Sequence, residues 1–264
     1  MDLKLKGKRA LVTGSTAGIG HAIAAGLCAE GAAVILNGRS QQRVKEAAAR
    51  LAAAHPGATV TGVAADVGSA AGIESLCREV GAIDILVNNA GIFEPKPFLE
   101  IPDADWLRFF EVNVMSGVRL TRAYLPGMLE RKWGRVIFIS SESGICPPAE
   151  MVHYGMSKSA QLSVARGMAE TCVGSGVTVN SVLPGPTRTE GVGTFFSRLA
   201  EEQGVSLEQA EQDFFANARP TSLIKRFIEP AEVASLVAYV CSPLASATHG
   251  AALKVEGGVV RSLI

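Results

Sequence analysis

The 264-residue sequence predicts an α/β fold, a doubly wound parallel β-sheet with helices on both faces. Three observations predict it. Short runs rich in β-branched residues alternate with longer helix-like stretches from one end of the chain to the other, the pattern of right-handed βαβ units. The strand-like runs are apolar, as strands covered on both faces are. Finally, a glycine-rich turn, Thr13-Gly14-Ser15-Thr16-Ala17-Gly18-Ile19-Gly20, links the first strand candidate to the first helix candidate.

In chain order, Arg9–Thr13 is the first strand and ends at the glycine turn, which opens a helix over Gly18–Ala29. Ala33–Asn37 is the second strand, and Ser40 stands as an N-cap before a helix over Gln41–Ala54. Thr59–Val63 and Asp84–Val87 follow as strands, the first leading to Asp66-Val67 and the second to Asn88-Asn89-Ala90-Gly91. Arg135–Ser140, a helix over Ser157–Val173 and the strand Val177–Val182 complete the alternation. With no repeat, linker or low-complexity segment, one domain over residues 1–264 is expected. One stretch breaks the rhythm. From Pro184 to Ser222 a short connection is replaced by a long, partly helical excursion, centred on about 186–222, that carries Phe195, Phe196, Phe214 and Phe215. Connections of this length inside a compact domain are usually functional. As a lid its aromatics would face a substrate; as a plain helical hairpin they would pack on the body. Both readings stay open.

Composition narrows the partners. Lys+Arg and Asp+Glu balance at 25 each, so no global field attracts nucleic acid or an anionic membrane, and the expected partner is a small molecule. Cys28, Cys77, Cys146, Cys172 and Cys241 are scattered, with no paired spacing that marks a metal site; most read as small buried hydrophobes. No apolar run is long enough to span a bilayer. Met1–Lys6 is charged and runs into the first strand, leaving no room for a signal peptide, so a cytoplasmic location is expected.

The glycine turn sits between strand and helix, the context a dinucleotide site requires, and makes the fold Rossmann-type. Gly14 permits the tight turn, Gly18 lets main chain approach a pyrophosphate, and Gly20 lets helix and strand pack closely. The phosphates would lie against the helix N-terminus, where free N–H groups and the helix dipole favour negative charge. The spacing is G-x-x-x-G-x-G rather than G-x-G-x-x-G. After the second strand the chain reads Leu36-Asn37-Gly38-Arg39-Ser40. No carboxylate is there to take a ribose 2′-hydroxyl, and Arg39 offers donors suited to a 2′-phosphate. NADP(H) is therefore expected over NAD(H); the alternative is a solvated Arg39 beside the Ser40 cap. Asp66 would accept from the adenine amino group, and the Asn88-Asn89 pair would lock neighbouring strands or shape the adenosine pocket. Both segments read equally as turn formers.

Tyr154 and Lys158 are four residues apart, so on a helix they share a face. An ammonium beside a phenol favours the phenolate and lowers the tyrosine pKa, which provides a general acid/base for an alkoxide. Ser141, at the end of the fifth strand, would hydrogen-bond and polarise a carbonyl oxygen. Asn113, within a predicted helix, would hold a water leading to Lys158. Of the other polar residues nearby, His153 is expected to be structural and His249 a loop residue; Glu142 and Glu150 bracket the loop after Ser141 and are expected to be solvated or capping, the alternative being contact with a polar or cationic substrate.

On these motifs the chain resembles the short-chain dehydrogenase/reductase family, in its compact branch, over nearly the full length. The resemblance implies a glycine turn at Gly14, Gly18 and Gly20, with Ser15, Thr16 and Ile19 beside the cofactor. It also implies cofactor contacts from Val67, from Asn89, Ala90 and Gly91, and from a Pro-Gly motif at Pro184-Gly185 with Thr187 and Thr189. The catalytic tetrad it implies is Asn113, Ser141, Tyr154 and Lys158, with Lys158 also on the nicotinamide ribose, in a homo-oligomer that is often a tetramer. The reading is an NADP(H)-dependent enzyme that reduces a carbonyl or oxidises the matching alcohol. A 3-oxoacyl-carrier-protein reductase is the close alternative, although Lys132 matches one basic position of those enzymes' carrier patch and Ser175 stands at the other. A dinucleotide-sensing or scaffold protein is the non-enzymatic one.

Overall fold

The structure is a computed structural model that describes residues 1–263. Strand β1 (Arg9–Val12) leads through the glycine turn into helix α1 (Gly18–Ala29). Then come β2 (Ala33–Gly38), α2 (Gln41–Ala54), β3 (Val60–Ala64), α3 (Ala70–Val80) and β4 (Ile85–Asn88). The second half runs α4 (Asp103–Phe110), a π-helical stretch Glu111–Met115, α5 (Ser116–Glu130), β5 (Gly134–Ile139), α6 (Val152–Glu170) and β6 (Val177–Pro184). Helices α7 (Glu190–Gln203), α8 (Leu207–Asp213) and α9 (Pro230–Cys241) precede β7 (Ala252–Val255).

All seven strands pair in parallel, in the order β3-β2-β1-β4-β5-β6-β7. The winding reverses between β1 and β4, and the crevice that opens beyond the carboxyl ends of strands at such a reversal is where α/β sheets bind ligands. Both faces of the sheet are buried. On one, Ile23 and Leu27 of α1, Leu51 of α2 and Val233 and Val237 of α9 pack over the strands. On the other, Leu76 of α3, Leu120 and Met128 of α5 and Ala165 of α6 do the same. Burial on two sides is why these strands read as apolar runs rather than as alternating ones.

The bounds of α1 and α2 agree with the sequence expectation, and the first six strands fall within two residues of theirs. Ser40 caps α2, accepting from the Arg43 N–H at 3.4 Å. Three elements differ. Strand β7 was not anticipated: Ala252-Leu253-Lys254-Val255 has only one β-branched residue and becomes a strand because the open edge of β6 is there to pair with. Helix α6 begins at Val152 rather than Ser157; Pro147 and Pro148 stop any earlier helix, and a 3₁₀ turn, Ala149–Met151, then leads directly into it. Asn113 lies in the π-helical stretch between α4 and α5 rather than in regular α-helix.

Candidate active site

The glycine turn is built by exclusion of side chains. Gly14 and Gly18 have φ of +60° and +56°, a region costly for residues with a Cβ. A Cβ on Gly14 would lie 2.9 Å from the Ala90 Cα, and one on Gly18 3.2 Å from the Thr189 methyl. Among the described residues no side chain caps the first turn of α1, so its N–H groups are available to an anion. Ser15 is buried, and its hydroxyl is given to the Val12 carbonyl at 2.7 Å while accepting from the Asn37 N–H at 3.0 Å. Its side chain therefore braces the turn from below and does not face the crevice. Asn37, which sequence reasoning passed over, is the other half of that brace and donates from its amide to Val63 and Ala65 carbonyls at 3.2 Å each.

Across the reversal point Asn89 ties β4 to the turn. Its Nδ2 donates to the carbonyls of Thr13 (2.9 Å) and Gly14 (3.0 Å), and the main-chain N–H groups of Asn89 and Ala90 both donate to the Thr13 hydroxyl at 3.0 Å. Asn88 is buried and donates to Thr121 of α5. Of the residues expected near the adenosine, Val67 is buried, while Asp66 and Arg39 are exposed. One Asp66 carboxylate oxygen accepts from the Gly68 N–H at 3.0 Å, so Asp66 is a turn former, with its second oxygen left over.

Ser141, Tyr154 and Lys158 line one cavity of about 330 Å³, together with Ile19, Asn89, Gly91, Pro184, Gly185, Thr187 and Thr189. Helix α6 places Tyr154 in its first turn and Lys158 one turn on, with the ammonium 5.6 Å from the phenol ring centre. Asn113 is fully buried behind this wall. Its side chain accepts from the Ile92 N–H at 2.7 Å and donates to the Ile92 carbonyl (3.0 Å) and the Ser157 hydroxyl (2.9 Å). Gly14, Ser15, Thr16, Gly18, Gly20, Arg39, Asp66, Val67 and Ala90 are not on the cavity wall; they belong to the turn and to the outer part of the crevice.

The electrostatics differ from the sequence expectation. Lys158 does not lower the tyrosine here: burial pushes the Tyr154 phenol up, and the Glu142 carboxylate adds to that, against a smaller opposing effect of the Ser141 hydrogen bond. The Lys158 ammonium instead donates hydrogen bonds to the Ile139 carbonyl at 2.9 Å and to the Gln161 Oε1 at 3.1 Å, and burial draws it down to about 8. Glu142 also departs from its expected role as a solvated or capping residue. It is buried, accepts the Ser141 hydroxyl, and faces Arg219 at 3.5 Å. Arg219 comes from the excursion and reaches the exposed Glu150 as well, at 3.2 Å. Neither the Glu142–Arg219 pairing nor Gln161 carries a motif that sequence reading could have found.

His153 is fully buried against the Phe109 ring, 4.0 Å between centres. His249 links β6 to the end of α6, accepting from the Val179 N–H at 3.1 Å and lying 3.0 Å from the Ala169 carbonyl. Cys146 is exposed and off the cavity wall. In the excursion, Phe196 and Phe215 are buried with Phe227 in a small core of their own, while Phe195, Phe196 and Phe214 also face the cavity. The phenylalanines thus serve both as packing and as wall.

A profile of the family described as short chain dehydrogenase matches residues 8–199. The chain is 51% identical, over the whole of both proteins, to an uncharacterized oxidoreductase, YvaG, of Bacillus subtilis. It is 35% identical to a 3-oxoacyl-[acyl-carrier-protein] reductase of Aquifex aeolicus, covering 98% of this chain and 100% of that one. Among solved structures it superposes with a TM-score of 0.93 on an L-sorbose reductase from Gluconobacter frateurii complexed with NADPH and L-sorbose, at 33% identity and over the full length of both chains.

Proposed function

The chain belongs to the short-chain dehydrogenase/reductase family of oxidoreductases, and from that premise we propose that it reduces a carbonyl, or oxidises the matching alcohol, with NADP(H). The observation that carries the reading is the convergence of Ser141, Tyr154 and Lys158 on one wall of a single cavity, braced from behind by Asn113. The residues present fit a dinucleotide. Gly14 and Gly18 leave main chain bare where a pyrophosphate would lie, and the start of α1 has no cap of its own. Arg39 stands exposed after β2, with no ion pair engaging it among the described residues, ready for a 2′-phosphate. NADPH in the L-sorbose reductase complex supports the same preference.

When bound, the nicotinamide supplies or takes up the hydride. The remaining chemistry falls to the chain. Tyr154, kept protonated by burial, donates a proton to the oxygen of the reduced carbonyl. Lys158 keeps a positive charge close to that phenol as the proton leaves. Ser141 stabilises the negative oxygen. Asn113 holds the segment after β4 and the start of α6 together through Ile92 and Ser157. The excursion acts as the lid over the substrate end. There Arg219 already faces two carboxylates, Glu142 and Glu150, and Phe195, Phe214, Met151 and Val192 make the rest of the wall apolar. A neutral carbonyl compound with an apolar body suits such a site better than an anionic one. The relative from Aquifex aeolicus keeps a 3-oxoacyl thioester as the second reading.

The test is turnover with NADPH and NADH across aldehydes, ketones, sugars, steroids and acetoacetyl thioesters, with Tyr154→Phe alongside. The expected result is NADPH-preferring turnover that Tyr154→Phe lowers by about 10²–10⁴-fold while NADPH still binds. Full activity in Tyr154→Phe would refute the acid/base role, and selective turnover of the thioester would favour the second reading.

A further inference from the structure

Gln161 lies three residues after Lys158 on α6 and is 1% exposed. A primary amide sealed from water is costly unless both of its ends are paired. Both ends are, and both partners belong to the reaction centre. The Nε2 donates to the main-chain carbonyl of Asn113 at 2.7 Å, and the Oε1 accepts from the Lys158 ammonium at 3.1 Å. An ammonium can only donate and a carbonyl can only accept, so the amide has one orientation that satisfies both.

We propose that Gln161 is a positioning residue of the reaction centre, its amide joining Asn113 to Lys158 where the sequence alone suggested a bridging water. The inference rests on the acid/base reading of Tyr154 and Lys158. Both amide protons of Asn113 go to the Ile92 carbonyl and the Ser157 hydroxyl, and its Oδ1 accepts from the Ile92 N–H; the hydrogen bonds that connect it to the lysine run through its main-chain carbonyl and Gln161. The Ile139 carbonyl holds a second ammonium proton, leaving a third for the cavity that Lys158 lines. The ammonium is thus fixed from behind by two neutral acceptors.

A water and an amide in this place have different consequences. A water exchanges protons with its neighbours and can pass one on. The amide keeps its own protons, so it steadies the charge on Lys158 without conducting to it. The proton that Tyr154 gives up is then replaced from the cavity side. Glu142, from the segment after β5, is the charged group that bears on Lys158; Tyr154, on the same helix as the lysine, faces it with its ring centre 5.6 Å away, and Arg219, from the excursion, acts on Tyr154. None of them is altered by a change at Gln161, which makes that position a clean probe.

The test follows the titration of Lys158 directly, by the ¹³Cε NMR signal of lysine-labelled full-length protein, assigned by its loss in Lys158→Met. Gln161→Leu removes the acceptor and is expected to lower the midpoint by about one pH unit; Gln161→Glu places a carboxylate there and is expected to raise it by at least as much. The alkaline limb of kcat, measured on any carbonyl the enzyme turns over, should move the same way in each variant. A merely structural role would destabilise the protein without opposite shifts. Midpoints unchanged in both variants would overturn the inference, and should Gln161→Leu fail to fold, Gln161→Glu decides alone. The outcome is separable from that of the acid/base reading. Activity retained in Tyr154→Phe would dismiss that reading whatever Gln161 does, and unmoved midpoints would dismiss Gln161 while Tyr154 stands.

Discussion

Replacing Gly20 by alanine puts the packing of the glycine turn to a quantitative test. A Cβ at this position would lie 2.5 Å from the Asn89 Nδ2, 2.5 Å from the Gly14 carbonyl oxygen and 2.9 Å from the Ser15 Cα. Two of those atoms are main chain and cannot swing aside. The third is the amide that donates to Thr13 and Gly14, so moving it gives up two hydrogen bonds, at about 1 kcal/mol each. Overpacking adds about 1–3 kcal/mol. Alanine recovers up to about 1 kcal/mol from helix propensity. The balance is a loss of about 2–4 kcal/mol. Gly167, in α6, is the control: a Cβ there meets nothing within 4 Å, so Gly167→Ala should gain roughly 0.5–1 kcal/mol. Urea unfolding followed by circular dichroism measures both, and an NADPH fluorescence titration reports whether the turn still receives the cofactor. Gly20→Ala as stable as the parent, or changes of the same sign at the two sites, would refute the reasoning.

Three further outcomes follow. Arg39→Ala should weaken NADPH binding by about 10–100-fold, the loss of charge-assisted hydrogen bonds to a phosphate, while NADH affinity stays within error; parallel losses for both cofactors would count against a 2′-phosphate contact. His153 has both ring nitrogens buried without a partner, and burial holds it below its ordinary 6.5. The folded protein therefore resists its protonation, and stability present above pH 6.5 is lost as pH falls below that value. In His153→Phe that part of the acid sensitivity should vanish with little cost at neutral pH, which urea midpoints at two pH values will show. Phe196→Ala, in the small core of the excursion, should cost about 3–5 kcal/mol locally and open residues 186–222 to limited proteolysis before the sheet unfolds; cleavage patterns identical to the parent would argue against an independently opening lid.

Much of the fold was legible because its signals are local. The apolar runs marked six strands, since burial on two faces leaves a trace in each strand separately, and Gly18 and Ser40 marked the starts of α1 and α2. Strand β7 was not legible because Ala252–Val255 owes its conformation to the edge of β6. At the candidate site, the spacing of Tyr154 and Lys158 foretold a shared helix face, and their order after Ser141 foretold a shared location. The partners of those residues were hidden. Gln161 reads in sequence as an ordinary helical glutamine, and only the approach of the π-helical stretch turns it into a buried bridge. Glu142 and Arg219 are 77 positions apart and meet only because the excursion folds back over the strand ends. The expected effect of Lys158 on the tyrosine failed for the same reason, as both groups have other neighbours that the sequence does not place.

The bond from Ser141 to Glu142 has a consequence for timing. A hydroxyl has one proton to give, and here a carboxylate already holds it. A neutral carbonyl oxygen is a weaker acceptor than a carboxylate, so a ketone that merely entered the cavity would not win that proton. On the proposed reaction, charge gathering on the carbonyl oxygen would make the contest even, and the serine could then turn toward the substrate. The interaction would then be withheld from the bound ketone and granted to the species halfway to alkoxide. Help that comes only at the summit lowers the barrier without deepening the well before it, and on the proposed reaction a buried glutamate next in sequence to the serine would arrange that delay.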